Sequence, residues 1–93
     1  MKTATKWDAS EYLETEEDMA AYLNAALEDG NTSVIAAALG DIARAKGMTQ
    51  LSKETGITRD GLYKALSPTG NPSFDTVQKV VRAFGLRLDA TPA

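Results

Sequence analysis

Residues 48–66, MTQLSKETGITRDGLYKAL, decide the fold, because two short helical stretches meet there at a glycine. Ser52 lies four residues before Gly56, where two steeply crossing helices need a small side chain at their contact. Gly56 can adopt the left-handed backbone conformation that a tight turn between helices requires. Ile57 is the apolar residue of the turn, and Thr58 can cap the second helix. This spacing predicts a helix-turn-helix.

The apolar residues of the two helices predict which of their faces is exposed. At helical spacing, Leu51, Leu62 and Ala65 would face the core. The polar side chains then lie on the outer side of the second helix and at the start of the first, and in a docked helix-turn-helix these positions meet DNA. The candidate DNA-binding residues are Thr49, Gln50, Thr58, Arg59, Asp60, Tyr63 and Lys64.

Most of these candidates have a side chain that DNA recognition uses. Arg59 can donate two hydrogen bonds to a guanine edge, and Tyr63 can contact a thymine methyl group or a phosphate. Lys64 can neutralise a phosphate, while Thr49 and Gln50 can anchor the DNA backbone. These residue types therefore suit an exposed helix that reads the major groove.

The acid among the candidates needs a different role. Asp60 repels phosphate, so it helps binding only by accepting a hydrogen bond from a cytosine amino group or by orienting Arg59. The alternative for the whole set is an ordinary solvated helix surface. The turn signature favours DNA binding, because it independently predicts the exposed face and the polar residues fall on that face.

Gly61 is unexpected inside so short a helix, where glycine costs about 1 kcal/mol relative to alanine. On the predicted register it falls on the side that faces the groove. We hypothesise that its missing side chain lets Arg59 and Tyr63 approach DNA closely.

The rest of the chain also predicts helices. Asp8–Leu13 suits one or two turns, and Thr15 caps a helix that Gly30 ends. Thr32 or Ser33 opens the next helix, which ends before Gly47. After the loop Ser67–Ser73, Ser73 caps a last helix that ends at Gly85. The first helix of the predicted helix-turn-helix extends over 49–55. Trp7 and Phe74 are predicted to be core residues. Residues 86–90 alternate in polarity and predict a short strand that would need another chain to pair with.

These elements predict an all-α fold, a compact bundle of five or six helices in one domain. Residues 1–31 would form an acidic helical extension of that domain, 32–85 the helix-turn-helix core, and 86–93 a tail. The net charge of −3 hides an asymmetry, since 1–47 hold four basic and nine acidic residues and 48–93 hold six basic and four acidic. Such a division suggests two surfaces for two kinds of partner, and the alternative is a chance distribution of solvated charges.

Several classes of protein are disfavoured by composition. The chain has neither cysteine nor histidine, so we expect no catalytic residue, no metal and no cofactor. It has no run of about 18 apolar residues, so we expect no membrane span. Its first 18 residues contain no apolar run, so we expect no secretory signal. A cytoplasmic protein that is not an enzyme is the expectation.

Two long stretches resemble a known family. Residues 47–88, GMTQLSKETGITRDGLYKALSPTGNPSFDTVQKVVRAFGLRL, resemble the HigA-like antitoxins of addiction modules, within the lambda-repressor-like helix-turn-helix superfamily. Residues 6–30, KWDASEYLETEEDMAAYLNAALEDG, are similar to the amino-terminal region of that family. In phage repressors the Thr-Gln pair lies two positions further from the leucine than Thr49 and Gln50 do here. The first helix is therefore expected to be shortened at its start, with Met48 in place of that glutamine.

The resemblance implies the antitoxin of a type II toxin-antitoxin module. Such a protein binds double-stranded DNA as a homodimer, at an operator in its own promoter, and represses transcription. Its protein partner would be a toxin of the RelE/ParE-like group. Two alternatives stay open: a protein-interaction module that does not bind DNA, and a prophage-type transcriptional regulator without a toxin.

Overall fold

The computed structural model describes residues 8–93, so Trp7, a predicted core residue, lies outside the described part. The elements are one turn of 3-10 helix, Ala9–Tyr12, followed by α1 Glu16–Asp29, α2 Thr32–Lys46, α3 Met48–Thr55, α4 Arg59–Ala65 and α5 Phe74–Ala83. The prediction of an all-α bundle is confirmed for these residues. The radius of gyration of 13.0 Å is that of a compact chain of this size.

The possible strand at the carboxyl terminus is not seen in the single chain. Within 8–93 there is no strand, and the residues after Gly85 have no regular secondary structure. The physical reason is that an extended segment gains no ladder of hydrogen bonds without a second strand beside it. Leu86 and Leu88 are instead partly buried against the core.

The helix starts follow side-chain caps. Thr15 and Asp18 form a reciprocal capping box at α1, and Ser73 accepts a hydrogen bond from the Thr76 amide at α5. Both caps were predicted. α2 begins at Thr32, but its cap is Asn31, whose side-chain oxygen accepts from the Ser33 amide at 2.8 Å. Asparagine is among the strongest N-cap residues, which explains why it takes this position.

The core lies between all five α-helices, and α1 contributes Met19 and Leu23 to it while packing mainly against α2. The most deeply buried large side chains are Leu39, Ile42, Leu51, Leu62, Val80, Val81 and Phe84. The prediction that Phe74 is a core residue is wrong, since 71% of it is exposed. Phe74 is the first residue of α5, one turn before Val77, and on this helix the contact with the core begins only at Val77.

α2 and the end of α4 approach each other at a glycine. Gly40 is buried in the middle of α2, and a Cβ atom added there would overlap the backbone carbonyl oxygen of Leu66. A second glycine, Gly70 in the loop after α4, would similarly overlap the carbonyls of Lys64 and Ala65. The carboxyl end of α4 is therefore enclosed by backbone on two sides.

A polar network ties α1 to α2 and to the 3-10 helix. The Tyr22 hydroxyl donates to Asp41 at 2.5 Å, and Arg44 contacts both Asp41 and, at 3.5 Å, Asp8. Burial, together with the hydrogen bond to Asp41, raises the pKa of Tyr22 to about 12. The hydrogen bonds from Ser10 lower the pKa of Asp8, and Arg44 acts in the same direction.

Replacing Gly40 by alanine should destabilise the fold although alanine is the better helix former. The added methyl group meets the Leu66 backbone, and overpacking of this kind costs about 1–3 kcal/mol. Thermal unfolding followed by circular dichroism should show a lower Tm. Ala37→Gly, on the same helix, is the control for helix propensity alone and should cost about 1 kcal/mol. A higher Tm for Gly40→Ala than for the wild type would contradict the close approach.

Candidate nucleic-acid interface

The turn between α3 and α4 has the predicted conformation. Gly56 adopts the left-handed backbone conformation, with φ of 76°, and its amide donates to the Ser52 carbonyl. Thr58 caps α4, because its hydroxyl accepts a hydrogen bond from the Gly61 amide at 3.0 Å. The predicted roles of Gly56 and Thr58 are confirmed. Three residues, 56–58, separate the two helices.

Two hydroxyl groups of α3 hold the backbone of Ile57 from both sides. Ser52 Oγ donates to the Ile57 carbonyl oxygen at 2.6 Å. Thr55 Oγ1 accepts from the Ile57 amide at 3.2 Å and donates to the Leu51 carbonyl at 2.8 Å. From the sequence, Ser52 was predicted only to be a small residue at the helix contact, and Thr55 was given no role. The available signal was that both residues carry a hydroxyl beside a turn, where it competes for backbone groups.

The side chains of the two helices divide between core and solvent as predicted. Leu51 and Leu62 are buried, at 2% and 0% exposure, and Ala65 is half-buried. The seven candidate residues are all exposed: Thr49, Gln50, Thr58, Arg59, Asp60, Tyr63 and Lys64. They lie at the start of α3 and along α4, and these two helices contact each other.

Three of the candidates are joined to other side chains. Lys64 Nζ lies 3.5 Å from Asp60 Oδ2, one helical turn away, and both side chains are about four-fifths exposed, at 80% and 81%. An exposed pair of this kind contributes at most about 1 kcal/mol, so it leaves Lys64 available to another anion. Gln50 Nε2 donates to Glu54 at 2.9 Å. Arg59 has no hydrogen-bond acceptor and no ion-pair partner among residues 8–93.

The start of α3 differs from the prediction. α3 begins at Met48, one residue before the predicted Thr49, and Met48 is buried at 7% exposure. Its N-cap is Gly47, which offers no side-chain hydrogen bond, whereas the other four α-helices have side-chain caps. The first amides of a helix without a side-chain cap can donate to water or to an anion such as phosphate.

Gly61 does not face open space. A Cβ atom added there would lie 3.1 Å from Thr58 Oγ1 and 3.3 Å from Ile57 Cγ2, which is closer than ordinary van der Waals contact. The missing side chain therefore faces the turn before α4. The glycine leaves room for the capping hydroxyl of Thr58, and the hypothesis that it also lets Arg59 and Tyr63 approach DNA closely stays a prediction.

Comparison with known proteins places the chain in a family. The model of a family described as "probable addiction module antidote protein" matches residues 3–92. The chain belongs to this family of antidotes. It is also 52% identical over 82 residues to an uncharacterised protein of Haemophilus influenzae, an alignment that covers 88% of this chain and 84% of that protein. No solved structure matches it significantly.

Family membership supports an antitoxin role, since an antidote of an addiction module implies a toxin as its partner. Within residues 8–93 of the antidote, no helix combines the length and the apolar character that a membrane span requires.

Replacing Thr55 by valine should loosen the turn. Valine keeps the shape of the side chain but leaves the Ile57 amide without its acceptor, and an unsatisfied buried polar group costs about 1–3 kcal/mol. Thermal unfolding should show a Tm lower by about 4–8 °C for each kcal/mol lost. Thr55→Ser keeps the hydroxyl and should lose less. Equal Tm values for the valine and serine variants would show that the hydroxyl does not hold the turn.

Proposed function

We propose that the antidote is a DNA-binding repressor as well as the antitoxin of a type II module. α3 and α4 act as a helix-turn-helix of the lambda-repressor type, similar to that of HigA-like antitoxins. Two copies bind the operator in the module's own promoter, in the cytoplasm and without catalysing a reaction. The observation that carries the proposal is the exposed face of α4, where Arg59 has no partner among the described residues.

The geometry of α4 supports its role as the reading helix. Leu62 and Leu66 are buried at 0% and 4% exposure and anchor one side of the helix. Arg59 and Tyr63 are one turn apart on the exposed side, and Tyr63 is 47% exposed. A guanidinium with free donors beside an exposed aromatic ring suits the edges of guanine and thymine in the major groove.

The start of α3 supports contact with the DNA backbone. Its first amides have no side-chain cap, and Thr49 and Gln50 are exposed beside them. Main-chain N–H groups, hydroxyls and side-chain amides at a helix start are common donors to phosphate. These contacts would fix the register of α4 in the groove, while Lys64 neutralises a phosphate farther along.

The local charge also suits DNA, in contrast with the chain as a whole. Residues 48–66 hold three basic residues (Lys53, Arg59 and Lys64) and two acidic ones (Glu54 and Asp60), whereas residues 8–31 hold eight acidic residues and no basic one. Phosphate backbones are therefore attracted to the α3–α4 face and repelled from α1. In a symmetric dimer, the two α4 helices would lie about 34 Å apart, one turn of the double helix.

The toxin is proposed to belong to the RelE/ParE-like group. The large excess of acidic residues in 8–31 supports a basic protein partner, because complementary charge speeds and orients association. The same excess favours the second candidate, an interaction module that neutralises a toxin without binding DNA. Binding of duplex DNA separates the two candidates. A DNA-binding repressor binds the duplex at low salt and loses affinity steeply as salt rises, whereas the interaction module binds no duplex even at low salt.

Arg59→Ala should weaken operator binding by about 1–3 kcal/mol and relax the preference at one base pair. Fluorescence anisotropy with a labelled duplex from the module's promoter measures the affinity, and a set of single-base variants of that duplex measures the preference. Arg87→Ala is the matched control, because Arg87 is an exposed arginine in the tail beside α1.

The control should bind the promoter duplex with the affinity of the wild type. Unchanged affinity of Arg59→Ala would contradict the assignment of α4 as the reading helix. Absence of wild-type binding even at low salt would favour the interaction module.

A further inference from the structure

An open apolar groove of about 330 Å³ runs between α1 and α2. Its lining residues are Tyr22, Ala25, Ala26, Asp29, Val34, Ala37 and Ala38, and we call it the alanine groove. Four of its seven lining residues are alanines, whose short side chains leave room between the two helices. Val34 is 42% exposed at one end, beside Asp29. The groove is therefore an apolar surface that no described residue covers.

The two ends of the alanine groove differ in charge. At one end, Tyr22 and Arg44 both contact Asp41, so the charge of this acid is already neutralised. At the other end, Asp29 lines the groove, and Glu28 precedes it in the last turn of α1, on the flank of the helix outside the groove lining. This turn contains no basic residue. Neither acid has an ion-pair partner within residues 8–93, and Asp29 accepts only one hydrogen bond of 3.3 Å, from the Asn31 amide.

Glu28 and Asp29 also oppose the dipole of their own helix. The carboxyl end of a helix carries partial negative charge, so acids in the last turn destabilise it. The amino end of α1 obeys the usual rule, with Glu16, Glu17 and Asp18 in its first turn. A local arrangement that costs stability, with no compensating ion pair among the described residues, is typical of a functional surface. A cation bound at this end would relieve both the repulsion and the dipole conflict.

The alanine groove opens on a different side of α2 from the proposed DNA-binding face. Gly40 on α2 meets Leu66 at the end of α4. At about 100° per residue, the groove positions Val34, Ala37 and Ala38 are turned by roughly 110° from Gly40 around the helix axis. A partner in the groove would therefore contact α1 and α2 and leave the exposed side of α4 free.

We propose that the alanine groove docks the toxin through a cationic segment. Apolar side chains of the toxin enter the groove, and its Lys or Arg side chains pair with Glu28 and Asp29. This inference rests on the proposed pairing of the antidote with a basic toxin and assigns the surface that performs it. Duplex DNA does not suit this surface, because the two unpaired acids repel phosphate.

The test combines affinity for the toxin with stability of the free antidote. The double variant E28Q/D29N removes two charges from the carboxyl end of α1, and the control E16Q/E17Q removes two from its amino end. The probe is the purified toxin encoded by the neighbouring gene, titrated against each full-length antidote in a calorimeter. Differential scanning calorimetry gives the Tm of each free protein.

We expect E28Q/D29N to bind the toxin about tenfold or more weakly, and its affinity to depend less on salt than that of the wild type. The same variant should have a Tm higher by about 2 °C or more, since the dipole conflict is relieved. The control should have a lower Tm and bind within about twofold of the wild type. Opposite changes in stability and binding exclude misfolding as the cause of weaker binding.

A second pair of variants tests the apolar part of the groove. Ala25→Gln fills the groove without changing charge and should weaken toxin binding, whereas Asn24→Gln, on the other side of α1, should not. Wild-type affinity for both E28Q/D29N and Ala25→Gln would overturn the assignment of this surface while leaving the toxin pairing intact. Failure of the wild type to bind the toxin would overturn the pairing and this surface with it. Weaker self-association of E28Q/D29N in sedimentation, with toxin affinity unchanged, would assign the groove to a second copy of the chain instead.

Discussion

The backbone of Ile57, held between the hydroxyls of Ser52 and Thr55, is the constraint on which the α3–α4 unit depends. These two hydrogen bonds fix the turn to α3, and the Thr58 cap then fixes the start of α4 to the turn. At the other end of α4, the Leu66 carbonyl lies against the backbone of Gly40. α4 is thus positioned at both ends by polar and steric contacts, while Leu62 holds its middle in the core.

Because α4 is held at both ends, the side chains on its exposed side do not have to hold the helix in place. Arg59 has no hydrogen-bond or ion-pair partner among residues 8–93 and Tyr63 is 47% exposed, so their polar groups are accessible to a ligand. α1 differs from the α3–α4 unit in charge, because it carries five acidic residues and no basic one. In the proposed division, a chain that is acidic overall presents one face to DNA and another to a basic protein. A toxin partner is what membership of the antidote family implies.

Much of the α3–α4 unit could be predicted from the sequence because its signals are local. Gly56 acts through its backbone conformation and Thr58 through capping, both within a few residues of their own positions. The helical spacing of apolar residues predicted that Leu51 and Leu62 are buried. The amino-terminal caps at Thr15 and Ser73 were predictable for the same reason. Local chemistry at a helix start depends little on the rest of the fold.

The errors concern features that depend on distant contacts. Phe74 has the apolar character of a core residue, but whether it is covered depends on how far the neighbouring helices extend. The close approach of Gly40 to Leu66 was not predicted, because it depends on how α2 and the end of α4 pack against each other. The alanine groove was not predicted either. In the sequence its alanines only indicate helix, and the groove exists only once α1 and α2 lie side by side.

We propose that the antidote binds DNA through α4 and binds its toxin through α1 and α2. Hydrogen–deuterium exchange of the full chain, measured alone, with promoter duplex and with toxin, tests this division most directly. The duplex should slow exchange in α4 and at the start of α3 and leave α1 unchanged, whereas the toxin should slow exchange at the end of α1 and the start of α2. Protection of α1 by the duplex, with α4 unaffected, would contradict the account.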